Sequence, residues 1–204
     1  PVAVNRCGAE LAARLEAVGG AVTRIGASSA GDHLRASFGS GDRQILMLGH
    51  FDTVWPVGTL SHMPMKREGG RLHGPGVFDM KAGIVQAIHA VAALDDRSHV
   101  EILLSDDAAI GSHSSRALIE ERAVACGAVL VLAPSADGGA LKTGRKGNGT
   151  LFFEVSNRGR KGLLATFNNA TGSNDPRTPV ALGWLRASHR KTDPARSLPW
   201  RPWH

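Results

Sequence analysis

His50, Asp52 and Asp79 are the side chains whose types and positions first suggest chemistry. His50 and Asp52 follow directly on an apolar run, residues 44–48, of the type expected for a strand buried on both faces. In extended backbone alternate residues share a face, so the imidazole and the carboxylate can point the same way. Such a pair can bind a metal, or the carboxylate can orient a metal-bound imidazole. It can equally be a structural pair at a strand end. Asp79 lies within HGPGVFDMKAG, His73 to Gly83, just ahead of a periodic apolar stretch. The glycines let the backbone bend tightly towards a site, and Asp79 is either a ligand or a helix N-cap. No HExxH motif is present, which excludes a zincin helix. Cys7 and Cys126 alone build neither a disulfide scaffold nor a four-cysteine zinc site.

The elements that must position these groups follow from hydrophobic periodicity. Val4, Cys7, Leu11, Leu15 and Val18 recur at helical steps, and Gly19 and Gly20 stop that helix. Residues 21–25 and 33–38 read as strands around a turn-rich link. A loop rich in Gly and Pro spans 50–76. A helix over 80–94 is expected, with Ile84, Ile88 and Val91 on its buried face and Val85 beside them. Residues 100–104 and 128–132 read as further buried strands, the second closed by Pro134. A helix over 112–125 has Ser112 or Ser114 as its cap. Strands alternating with helices predict an α/β fold, a mostly parallel sheet flanked by helices. Residues 150–156 read as a strand of something new, and residues 181–188 as a short helix.

The chain has 204 residues, with 24 Lys+Arg against 18 Asp+Glu, for a net charge of +6. The imbalance is local. Residues 1–141 hold 12 basic and 15 acidic residues, and residues 142–204 hold 12 against 3. A basic tail with Phe167, Trp184, Trp200 and Trp203 suits either phosphate contact or a solvated segment. It matches no nucleic-acid motif, so nucleic acid is not the expected partner. No window approaches 18 consecutive apolar residues, and no membrane span is expected. Residues 1–14 lack a basic stretch followed by an apolar one, so no signal peptide is read and a cytoplasmic location is expected.

Four blocks, ILMLGHFDTVWPVGTL, GPGVFDMKAG, IGSHSSRALIEE and ALKTGRKG, occur in a known order and spacing. They resemble the di-zinc hydrolases that include glutamate carboxypeptidase, acetylornithine deacetylase, succinyl-diaminopimelate desuccinylase and the aminoacylases, above all the glutamate carboxypeptidase branch. The resemblance implies a zinc-peptidase-like catalytic domain over residues 1–148. It implies the incomplete start of an α+β lid, often a dimerisation domain, over residues 149–204. In such enzymes two zinc ions share a bridging carboxylate and a bridging water, lower the water's pKa and polarise the scissile carbonyl, with a glutamate as general base. By motif, His50 corresponds to a zinc ligand, Asp52 to the carboxylate that orients it, and Asp79 to the bridging ligand. The implied substrate is a small amino-acid amide or peptide, such as one ending in glutamate.

The chain departs from that pattern where the metals need it most. Relatives carry Asp-Glu-Glu ahead of Ile-Gly-Ser; here the stretch is Asp107-Ala108-Ala109. Ala108 takes the general-base position and Ala109 a zinc-ligand position. Ala133, ahead of Pro134-Ser135, takes another ligand position. A methyl group neither accepts a proton nor binds a metal. Asp106, Asp107 and His113 are the neighbours that could substitute, or the two aspartates are a solvated strand end. Residues two apart on a strand lie about 6.6 Å from each other, while zinc–oxygen bonds need about 2.0–2.2 Å. In the lid segment, Lys161 takes the place of a histidine that helps bind the substrate. A late histidine of the family falls beyond residue 204, and His189 and His204 are wrongly placed to replace it. The expectation is a truncated member with impaired or absent hydrolysis, a pseudoenzyme whose zinc binding is in doubt. The alternatives are a non-catalytic binding module using the scaffold and basic tail, or a non-functional fragment.

Overall fold

The computed structural model describes residues 2–27, 31–41, 44–144, 150–157, 160–168 and 186–187. The chain divides into two compact units, Pro1–Gly139 and Ala140–His204. The first unit contains α1 (Val2–Ala17), β1 (Ala21–Gly26), β2 (Asp32–Ser37), β3 (Ile45–His50), β4 (Lys66–Glu68) and β5 (Arg71–His73). It continues with α2 (Ala82–Ala92), β6 (Val100–Ser105), α3 (Arg116–Ala125) and β7 (Ala128–Val131). Five strands form one sheet in the order β1-β2-β6-β3-β7.

The sheet is mixed rather than mostly parallel. β3 runs parallel to both β6 and β7, whereas β2 runs antiparallel to β1 and to β6. The short link between β1 and β2 permits only an antiparallel pair, and periodicity carries no strand direction. The parallel half brings the carboxyl ends of β3, β6 and β7 to one edge of the sheet, where α/β proteins build sites.

β6 is the central strand and is buried at all six positions. Val100, Ile102 and Leu104 turn into a cluster with Leu11 and Leu15 of α1 and Ile84, Ile88 and Val91 of α2. The alternate residues Glu101, Leu103 and Ser105 face the other way. There Glu101 accepts hydrogen bonds from Arg122 of α3, at 2.7 and 2.8 Å, and from Arg35 of β2, at 2.8 Å. α1 approaches the site loop closely at Gly8, where an added Cβ would stand 3.3 Å from the Phe51 ring.

Several expectations are corrected. β7 is an exposed edge strand, with Val131 at 57% exposure, because among the described residues only β3 pairs with it and α3 buries none of its own residues. β3 beside it is likewise only partly buried, and Ile45 is exposed. The second helix starts later than expected, at Ala82, because Asp79 and Met80 hold non-helical backbone angles within a wide turn over Val77–Lys81. Its buried face includes Ala87, and Val85 is exposed. The loop over 50–76 contains the hairpin β4–β5, turned by Gly69 and Gly70 at φ +55° and +73°. Such a Gly-Gly pair is a sequence signal for a two-residue hairpin.

The second unit holds β8 (Thr150–Asn157), β9 (Arg160–Asn168) and β10 (Arg186–Ala187), all antiparallel. Arg186 and Ala187 pair with Thr166 and Ala165, so these two residues are strand where a short helix was expected. Cross-strand hydrogen bonding to β9 overrides the weak helical signal. The rest of the stretch 181–188, together with His189, Trp184, Trp200, Trp203 and His204, lies outside the described residues. Among the described residues no helix is long and apolar enough to cross a membrane.

Candidate metal centre

The parallel register places His50 at the end of β3, opposite Ser105 of β6. From there the chain turns through Phe51 and Asp52, both buried. His50 Nδ1 lies 3.0 Å from Asp52 Oδ1 and 3.2 Å from the Asp52 carbonyl oxygen, so these acceptors fix the ring with Nδ1 as its donor. His50 Nε2 then faces Asp79 Oδ1 at 3.6 Å. The hydrogen bond to the Asp52 carboxylate, opposed by burial, raises the His50 pKa above its ordinary value. Burial would raise the Asp52 pKa, but the His50 hydrogen bond and the Ala109 amide outweigh it and bring the carboxyl below its usual range.

Asp79 is carried by the wide turn ahead of α2 and does not cap that helix. The turn is docked onto the His50 loop at two points. The His50 amide donates to Met80 Sδ at 3.2 Å, and Lys81 Nζ donates to the Phe51 carbonyl at 2.9 Å. The loop after β6 is docked too, since the Ala109 amide donates to Asp52 Oδ2 at 2.7 Å. Asp52 thus ties the two loops together, with one oxygen accepting from His50 and the other from Ala109.

This donor set does not fit the two-zinc centre of the family. His50 Nε2 and the Asp79 carboxylate face each other, while Ala108 and Ala109 occupy the adjacent loop and Ala133 follows β7. Two donors fall short of the three protein ligands of a catalytic zinc site. Asp106 and Asp107 do not make up the deficit. Their side chains are buried with His33 of β2 rather than solvated at the strand end. Asp107 accepts the hydroxyls of Ser114 and Ser115 at 2.7 and 2.6 Å, and both of their amides at 2.7 and 3.1 Å. Burial opposes its ionisation, yet these four donors hold its pKa at about 2. They also explain why Ser114 does not cap α3, while Ser112 lies too far ahead of its start to do so. That helix begins at Arg116, and Ser114 and Ser115 are turned to Asp107. His113 is exposed. Lys161 lies in β9, opposite Ser156, and the structure describes only its backbone.

The residue that sequence reasoning missed is His33. It lies in the alternating stretch DHLRAS of β2, remote in sequence from Asp106, and nothing local marks it as more than a strand residue.

Residues 46–184 match the family model described as Peptidase family M20/M25/M40. Carboxypeptidase G2 of Pseudomonas sp. strain RS-16 is 32% identical over 136 residues, 63% of this chain and 33% of that protein. A succinyl-diaminopimelate desuccinylase of Rhizorhabdus wittichii is 31% identical over 195 residues, 89% of this chain and 51% of that protein. The chain thus spans a third to a half of the length of these relatives. Among solved structures, an M20 family metallo-carboxypeptidase from Sulfolobus solfataricus matches with a TM-score of 0.55 at 19% identity, over 74% of this chain and 36% of that one. Human carnosine dipeptidase 1 matches with a TM-score of 0.52 at 18% identity, over 63% of this chain and 32% of that one. At these identities the two structures speak for the fold.

Proposed function

The chain belongs to peptidase family M20/M25/M40, and from that premise we propose that it is a hydrolase scaffold for amide bonds to an amino acid whose own hydrolytic centre is incomplete. One observation carries this reading: the His50–Asp52–Asp79 half of the centre is assembled, while the loop docked on Asp52 presents Ala108 and Ala109. The half-site is held by hydrogen bonds that need no metal. The loop carries neither a proton acceptor at residue 108 nor a ligand at residue 109. Similarity to carboxypeptidase G2 and to a succinyl-diaminopimelate desuccinylase supports a small peptide or acylated amino acid as the ancestral substrate class.

The test is zinc content and hydrolysis of an N-acyl glutamate, before and after Ala108→Glu, Ala109→Glu and Ala133→Glu are combined. The expected outcome is less than one zinc held through His50 in the natural chain, with hydrolysis depressed by at least the factor of about 10²–10⁴ that loss of a general base costs. The three substitutions should raise zinc held through His50. Two zinc ions per natural chain, with hydrolysis that the three glutamates fail to accelerate, would sink the proposal.

A further inference from the structure

We propose that His33, Asp106 and Asp107 form a buried binding site for one divalent transition-metal ion, on the β2–β6 side of the sheet and separate from His50, Asp52 and Asp79. The three groups come from β2 and from the end of β6, and they converge because His33 stands beside the last residues of β6 in the antiparallel register. One ligand atom from each lies within 4.8 Å of the others, and all three residues are buried.

The hydrogen bonding sets the protonation of the imidazole. Ser114 Oγ gives its only proton to Asp107 Oδ2 at 2.7 Å. It therefore accepts from His33 Nε2, 3.2 Å away, and Nε2 carries a hydrogen. On the opposite side of the ring, Nδ1 lies 3.4 Å from the Asp106 amide, at the long limit of a hydrogen bond, and 2.8 Å from Asp106 Oδ1. The nearer contact is bridged either by a proton or by a cation. Neither carboxylate oxygen of Asp106 receives a hydrogen bond of proper geometry, although both are fully buried. Two acceptors at this separation repel unless something positive lies with them, and a buried carboxylate without a donor is costly. The guanidinium groups of Arg35 and Arg122, on the same face of the sheet, are committed to Glu101.

The donor set has the chemistry of a cation site. One imidazole nitrogen with two carboxylates suits zinc or a similar first-row divalent ion, and three protein ligands plus water is a common zinc arrangement. The outer contacts are also of the kind that metal sites use. Ser114 holds the far nitrogen of His33, and Ser114 and Ser115 orient Asp107. Asp107 Oδ1, bonded only to Ser115 Oγ, retains a free lone pair.

The experiment is titration of the chelator-treated full chain with Co²⁺, read by its visible absorption, and with Zn²⁺, read by equilibrium dialysis. The expected result is one ion per chain. Asp106→Asn and His33→Gln should each weaken binding more than 100-fold. Ser114→Ala should weaken it about 10–100-fold through the orientation of His33, and His50→Ala should leave it unchanged. Far-UV circular dichroism of each variant checks that the fold persists. If a variant does not fold, the natural chain still decides through its stoichiometry and through the independence of that stoichiometry from His50. No saturable ion in the natural chain, as expected if a proton alone bridges His33 and Asp106, overturns the proposal. So does binding that survives Asp106→Asn, or binding lost with His50→Ala. The His50 variant also keeps this result distinct from the outcome for the family centre.

Discussion

β6 separates two polar regions that share a loop but differ in how they are held. On the β2 side, Glu101, Asp107 and His33 are buried within a network of arginines, serines and backbone amides, with Asp106 buried beside them. On the β3 side, His50 is partly exposed and Asp79 is 63% exposed. The first region holds the sheet to α3; the second is open and short of donors. The difference teaches that the buried charged groups carry structural weight that the open ones do not. Alanine stands at residues 108, 109 and 133, while the buried side keeps its charged groups.

The comparison breaks most visibly at Glu101. Glu101→Gln weakens the hold on two arginines in a buried place, and removing one partner of such a network costs about 3–5 kcal/mol. Urea unfolding measures it, and a loss under 1 kcal/mol would show that the network contributes little to stability. The next effect contrasts the two flanking strands. Leu103→Ala in β6, at 0% exposure, is expected to cost about 2–5 kcal/mol. Leu130→Ala in β7, half exposed, should stay within about 1 kcal/mol. Equal losses would mean that β7 is covered in solution.

A third prediction uses Asp107. Its folded pKa of about 2 lies below the ordinary 3.8, so it contributes stability above pH 4 that is lost as the pH falls through 2. The contribution is about 2 kcal/mol at 1.36 kcal/mol per unit. Asp52 and Glu101, also lowered, add in the same sense. Unfolding midpoints between pH 5 and pH 2, with chelator present, should therefore fall less steeply in Asp107→Asn than in the natural chain.

The smallest expected effect is on the open side. Asp52→Asn removes the charge that raises the His50 pKa, so the NMR titration of His50 Cε1–H should move to lower pH. The raised pKa gives stability that is present below the unfolded value of 6.5 and lost as the pH rises through the folded value. In Asp52→Asn that pH dependence should shrink. An unmoved titration would mean that Asp52 does not hold the imidazole in solution.

Much of the scaffold was legible in the residues. Apolar runs marked β3, β6 and β7, because a strand core needs consecutive β-branched and aliphatic side chains, and the turn-rich link between two short stretches marked β1 and β2. The motif around His50 and Asp52 marked a hydrogen-bonded pair, since two residues at alternate positions share a face without tertiary help. Strand direction was not legible for β2, nor the exposure of β7, because an apolar run reads alike in a central and an edge strand. The fate of Ser114 was likewise hidden. A serine ahead of a helix is a cap by local rule, and only Asp107, seven residues earlier, redirected it.

By itself the sequence determined that the side chains at residues 108, 109 and 133 offer neither a base nor a metal ligand. That holds in any fold, since the methyl group of alanine has no lone pair. Tertiary structure alone decided where the remaining polar groups went. His33 and Asp106 are 73 residues apart, and their meeting depends on the antiparallel register of β2 against β6. No local spacing encodes that register, because it is fixed by how the two faces of the sheet are buried.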